Sequence, residues 1–155
     1  MNIVLVEPQI PQNTGNIARL CAATGTPLHL VGKLGFRTDD KYLKRAGLDY
    51  WSLLDLTYHE NFDDFRNKAA GGEIYLMTTK GSRLYSSVNF KEDDYIVFGS
   101  ETKGLSENIR GIYKDKCLKI PMVGEARSLN LATSAGIVLY EALRQNGFSS
   151  CQPVP

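Results

Sequence analysis

Short apolar runs rich in β-branched and aromatic residues recur at residues 3–6, 28–31, 74–77, 95–98 and 118–120. They do not alternate apolar with polar, which is the pattern of strands buried on both faces, and helix-like segments lie between them. The expected class is therefore α/β, a mainly parallel sheet covered by helices on both faces. The first helix is expected from about Thr14 to a left-handed stop at Gly25, with Ile17, Leu20, Cys21 and Thr24 on its inward face. Asn16 and Arg19, three apart, share another face beside the small Ala22 and Ala23, so something is expected to pack close to it. The last helix is expected from about Ser128, as N-cap, to Asn146, with Gly147 ending it and Leu131, Ala135, Val138, Leu139 and Leu143 turned inward. Leu139 and Leu143 offer more apolar surface than a soluble monomer leaves bare, which predicts a homodimer built partly on this helix.

The length, 155 residues, predicts one domain over 1–155 with a frayed tail after about 147. A composition that is 43% hydrophobic and 23% charged excludes disorder, collagen and coiled coil. With 18 basic against 17 acidic residues, the chain is not a bulk-charge binder of nucleic acid, and any such site must be a local patch. The best candidate is the segment 33–45, where Lys33, Arg37, Lys41, Lys44 and Arg45 face only Asp39 and Asp40; a solvated helix face is the competing reading. No apolar stretch approaches bilayer length and the first residues lack a secretory pattern, which predicts no membrane contact and a cytoplasmic protein. Three widely spaced cysteines suit reduced thiols, and His29 and His59 supply no metal-ligand frame, so no metal is expected.

Three polar, glycine-bearing segments stand beside strand ends: Asn13-Thr-Gly-Asn-Ile-Ala-Arg19, then Gly99-Ser-Glu-Thr-Lys-Gly-Leu105, then Ile120-Pro-Met followed by Ser128-Leu-Asn130. In open α/β sheets ligands collect beyond the carboxyl ends of strands, so the last two loops are where a site is expected. Neither of the usual glycine-rich nucleotide cradles, G-x-G-x-x-G or G-x-x-x-x-G-K-[ST], is present.

Taken in order and spacing, these segments resemble the three motifs of the SpoU (TrmH) branch of the SPOUT methyltransferases, over nearly the whole chain. Without an added domain, the chain is most similar to the small members that methylate the 2′-oxygen of the tRNA wobble cytidine or uridine. The resemblance implies a C-terminal deep trefoil knot, a homodimer, tRNA as partner and S-adenosyl-L-methionine as cofactor, with S-adenosyl-L-homocysteine as product. It implies cofactor contacts from Met77, Thr78, Gly99, Ile120, Met122, Ser128 and Leu129, with core packing an equal alternative for Ile120 and Leu129. Arg19 carries over as the catalytic residue, and since guanidinium stays protonated, orientation of the ribose and stabilisation of developing negative charge suit it better than proton removal. Asn16, Lys41, Lys44, Arg45, Glu101 and Tyr140 are the expected substrate contacts. Three alternatives stand beside them: Asn16 capping the first turn, Glu101 capping the helix that begins near Ser106, and Tyr140 as plain core. A different tRNA or rRNA position, or an RNA- or nucleotide-binding module without turnover, are the other functional readings.

Overall fold

Residues that alternate along the strands enter two different cores. Ile3, Leu5, Leu28, Leu30, Ile96 and Phe98 pack on one side of the sheet with Ile17, Cys21, Leu139 and Ala142. Val4, Val6, Val31, Leu76 and Val97 pack on the other with Phe62 and Phe65. Both faces are covered, which is why the strand sequences read as unbroken apolar runs.

The computed structural model describes residues 1–37, 41, 48–124 and 127–151. Among them, the elements are β1 (Asn2–Val6), α1 (Pro11–Thr24), β2 (Leu28–Val31), β3 (Leu56–His59), α2 (Phe62–Lys68), β4 (Ile74–Met77), β5 (Arg83–Leu84), β6 (Tyr95–Phe98), α3 (Glu107–Ile112), β7 (Cys117–Lys119) and α4 (Leu131–Gln145), with a 3₁₀ turn at Leu48–Leu53. The strands form one sheet in the order β3-β2-β1-β6-β4-β7-β5. All six pairings are parallel, with Ile3 beside Leu28 on one side and Ile96 on the other. The carboxyl ends of all strands therefore lie along one edge of the sheet. No helix among the described residues is long and apolar enough to cross a membrane.

Several sequence expectations are corrected here. Helix α1 begins at Pro11, three residues before Thr14, because proline is tolerated in the first helical turn, where its missing N–H has no intrahelical partner. Its end at Gly25, with φ of 64°, is as expected. Helix α4 begins at Leu131 instead of at Ser128: Asn130 is the N-cap, its side-chain oxygen accepting from the Ala132 and Thr133 amides at 2.8 and 3.2 Å. Strands β3 and β5 were not foreseen. Both are edge strands, and their polar, partly exposed residues give no apolar run. Leu139 and Leu143 are buried within their own chain, so their apolar surface is no reason for a dimer. The cysteines are thiols, and burial pushes Cys21 up to about 12.

One crossing matters for the site. β7 lies between β4 and β5, although those two strands are consecutive in the chain, and the connection between them passes over it. The Thr78 amide donates to the Leu118 carbonyl at 2.9 Å. A Cβ on Gly81 would lie 2.6 Å from the Leu118 carbonyl carbon, so only glycine fits that approach.

Candidate functional site

The segments that leave β4, β6 and β7 surround a cavity of about 480 Å³ at the carboxyl edge of the sheet. Met77, Thr78, Gly99, Ile120, Met122, Ser128 and Leu129 all line it, so the residues expected to hold the cofactor come together in one place, with the expected substrate contact Glu101 beside them. The loop 99–105 is folded tightly on itself. Gly104, at φ of 65°, returns its amide to the Ser100 carbonyl at 2.8 Å, and a Cβ on Gly99 would overlap the Gly104 carbonyl carbon and the Leu105 nitrogen.

A polar chain ties the three motifs to one another. The Asn130 side-chain amide donates to Asn13 Oδ1 at 2.9 Å, and Asn13 Nδ2 donates to Glu101 Oε1 at 3.0 Å. Glu101 also accepts from the Gln9 and Ile10 amides at 2.8 and 3.1 Å. The amide of Ile10, the N-cap residue of α1, is one of the donors a helix start leaves without an intrahelical partner, and a carboxylate from 91 residues away accepts from it. Asn130 meanwhile caps α4, so the starts of both long helices are fixed to the loop after β6. Asn13 and Asn130 are motif positions to which the sequence assigned no role. The signal available was their place three residues before Asn16 and at the end of Ser-Leu-Asn.

Glu101 does not cap α3. Ser106 does, accepting from the Ile109 amide at 3.3 Å. Glu101 holds the α1 entry. Arg19 is exposed, lies outside the cavity lining, and rests on Tyr50: its carbon Cζ is 4.9 Å from the ring centroid and Nη2 donates to the Tyr50 hydroxyl at 3.4 Å. Tyr50 is the packing partner anticipated for that face. Asn16 is exposed within α1 and caps nothing. Tyr140 is 51% exposed, so it is not core, and its ring lies 6.4 Å from that of Phe148, which is also exposed. Lys41 is exposed, whereas Lys44 and Arg45 fall outside the described residues. Ile120 is half-buried, packing on the core while lining the cavity, so both of its readings hold.

The two histidines lie apart from this site, on the face covered by α2. His29 Nδ1 and His59 Nε2 share a hydrogen bond of 3.0 Å beside Phe65, and His59 Nδ1 is 3.6 Å from Asp64. Burial, then the neighbouring His59, pushes His29 down to about 4; burial also lowers His59, against the opposing pull of Asp64. Among the described residues no group of three or more His, Cys, Asp or Glu could hold a metal ion.

Parallel α/β architecture and a cavity knit from three polar motifs at the strand ends describe a family of RNA-modifying enzymes, and the chain belongs to it: the SpoU rRNA methylase family matches residues 1–140. Within that family, the tRNA (cytidine(34)-2′-O)-methyltransferase of Methylovorus glucosotrophus is 50% identical over 149 residues, covering 96% of this chain and 97% of the relative. The enzyme of the same name from Saccharophagus degradans is 48% identical over the same shares. A solved structure concerned with 2-OH methylation of C/U34 on tRNA superposes with a TM-score of 0.89 at 44% identity, covering 94% of this chain and 95% of that one. The methyltransferase AviRb of Streptomyces viridochromogenes, in complex with the cofactor AdoMet, superposes with a TM-score of 0.82 at 28% identity. It shares 94% of this chain but only 60% of its own.

Proposed function

We propose that the protein is a TrmL-like (YibK-like) tRNA 2′-O-methyltransferase, dependent on S-adenosyl-L-methionine, acting on the cytidine or uridine at the wobble position. The observation that carries this reading is the convergence of the second and third motifs, with Asn13 of the first, on one cavity, in a chain that matches wobble-position enzymes along nearly their full length. AviRb, at 28% identity, is far less similar than the wobble-position enzymes at 48–50%, which favours their substrate over its own.

The residues present fit the cofactor. A cavity of about 480 Å³ suits a nucleoside-sized ligand, and it combines apolar side chains with loop backbone groups. Ile120, Met122 and Leu129 would hold the adenine, with Met77, Thr78, Gly99 and Ser128 completing the contacts. Gly99 keeps the loop close-packed where any Cβ would open it. When bound, the cofactor supplies a methyl group on a sulfonium, an electrophile that needs no metal.

Arg19 faces the ribose in this reading. Its planar fork orients the sugar or a phosphate and stabilises negative charge on the 2′-oxygen as that oxygen takes the methyl and gives its proton to solvent. Asn16 and Tyr140 contact RNA, together with Lys41, Lys44 and Arg45. Glu101 acts as a positioning residue instead of the substrate contact that the resemblance implies, since both of its oxygens already serve Gln9, Ile10 and Asn13. Arg19 and Asn16 are exposed and outside the cavity lining, where a second copy would complete a site, and the exposed Tyr140 and Phe148 on and after α4 support a homodimer. The threading of β7 beneath the β4–β5 connection supports the trefoil knot. We take the chain as one domain acting in the cytoplasm, where its tRNA is.

Mass spectrometry of wobble nucleosides from cells with and without the gene tests the reading, beside transfer of labelled methyl to tRNA in vitro. Loss of the 2′-O-methyl mark at that nucleotide is expected. An unchanged mark, with no transfer in vitro, overturns it.

A further inference from the structure

We propose that Lys80, Lys103 and Arg127 form a phosphate clamp for the RNA backbone at the mouth of the cofactor cavity, separate from the segment 33–45. The proposal rests on the RNA methyltransferase reading above and adds to it the surface that grips the strand next to the reacting ribose. These three cations come from three different connections, after β4, after β6 and between β7 and α4, yet all line one cavity and all are exposed. A fourth, Arg110, is half-buried in the same lining, its Nε donating to the Leu105 carbonyl at 3.2 Å. Among the described residues the lining contains one carboxylate, Glu101, whose oxygens are engaged by Gln9, Ile10 and Asn13. Among the described residues none of the four cations forms an ion pair.

Like charges gathered around a concave, low-dielectric wall focus a positive field and need an anionic occupant. The cofactor does not answer that need. Its ammonium and sulfonium outweigh its carboxylate, so it is a cation overall. A polyanionic strand answers it, with phosphates on either side of the target nucleotide meeting Lys80, Lys103 and Arg127. One consequence is coupling. Phosphates that neutralise the collar remove its repulsion of the cationic substrate cofactor, while the product S-adenosylhomocysteine, which has lost the sulfonium charge, gains little. By linkage the substrate cofactor must tighten RNA binding in return.

The test uses the full chain, an anticodon stem-loop RNA and the double variant Lys80→Gln/Lys103→Gln, with Arg127→Gln as a second. Glutamine preserves the exposed stems, and thermal unfolding checks the fold. The slope of log affinity for RNA against log salt should fall by about 0.7 per single-strand contact removed, hence about 1.4 for the double variant. Calorimetry should find S-adenosylhomocysteine binding within about twofold of wild type, consistent with a field acting on net charge. In wild type, RNA should improve the affinity ratio of S-adenosylmethionine over S-adenosylhomocysteine severalfold; in the double variant it should move that ratio little. An unchanged salt slope in both variants overturns the proposal. So does a loss of S-adenosylhomocysteine affinity that parallels the loss of RNA affinity, since the cations would then serve the cofactor. The expected fall in salt slope together with a wild-type protein that transfers no methyl leaves the clamp standing and sinks the enzymatic reading instead.

Discussion

Replacing Glu101 should loosen the molecule at two distant places at once. Its carboxylate accepts three hydrogen bonds, two from the backbone amides of Gln9 and Ile10 and one from the Asn13 side chain. Charge-assisted bonds of this kind contribute about 1.5–3 kcal/mol each when buried, but the two backbone donors are exposed and water would replace much of that. About 1 kcal/mol per bond is the reasonable figure. Glu101→Ala should therefore cost about 3 kcal/mol, near the sum of a lost helix cap and a lost side-chain bond. For a chain of this size that is a melting temperature about 6–12 °C lower. Glu101→Gln keeps one acceptor oxygen but turns an NH₂ toward a donor, and about 1–2 kcal/mol is expected. Urea unfolding measures the loss, and calorimetry with S-adenosylhomocysteine should show weakened binding, because Gly99 and Gly104 sit in the loop that Glu101 anchors. Were Glu101 instead a direct substrate contact, Glu101→Gln would keep wild-type stability and cofactor affinity and lose only RNA binding or turnover. That pattern would refute the anchoring role of Glu101.

Three further outcomes are expected. Arg19→Ala should lower kcat on tRNA by about 100- to 1,000-fold while S-adenosylhomocysteine affinity, measured by calorimetry, stays near wild type, since Arg19 is outside the cavity lining; normal turnover would remove it from catalysis. Gly99→Ala should abolish cofactor binding and lower the unfolding midpoint, because the added Cβ meets backbone of Gly104 and Leu105 that has no room to yield; retained affinity would mean the loop opens freely. Stability should also fall with acid. His29, at about 4 folded against 6.5 unfolded, takes up its proton more readily in the unfolded chain, so its contribution is complete above about pH 6.5 and is lost between there and about pH 4. The partly solvated ring limits the loss to about 1–2 kcal/mol. Urea midpoints should show a shallower acid decline in His29→Gln, and parallel curves would acquit the histidine.

The sheet was legible where burial on both faces leaves an unambiguous apolar run, as in Ile74–Met77 and Tyr95–Phe98. β3 was not, because an edge strand such as Leu56–His59 buries few of its residues and its Thr57 and Tyr58 look like any loop. The start of α4 was misplaced for a similar reason. Ser128 and Asn130 are both good caps by residue type, and only the bonds to the Ala132 and Thr133 amides choose between them. The cavity residues were found through the order of three motifs, whereas the Glu101–Asn13–Asn130 chain spans 117 positions and no local pattern announces it. The cationic collar was hidden in the same way. Lys80, Lys103 and Arg127 are scattered singles in the sequence, while the cluster at 33–45 draws the eye by adjacency alone.

The order of strands has a consequence for how the chain is made. β4 pairs with β6 on one side and β7 on the other, and both are synthesised after it. As it emerges from the ribosome the Ile74–Met77 run has no strand to lie against, and β1 likewise lacks its inner neighbour until Tyr95–Phe98 arrives. Vectorial folding therefore stalls with the middle of the sheet missing, and closes only once Lys119 is available. Until then the nascent chain presents sticky apolar edges, the kind that chaperones shield and that aggregate when crowded. For the same reason, cutting the gene anywhere between β4 and β7 leaves neither half with a complete sheet centre, so split reporters and domain insertions belong outside that span.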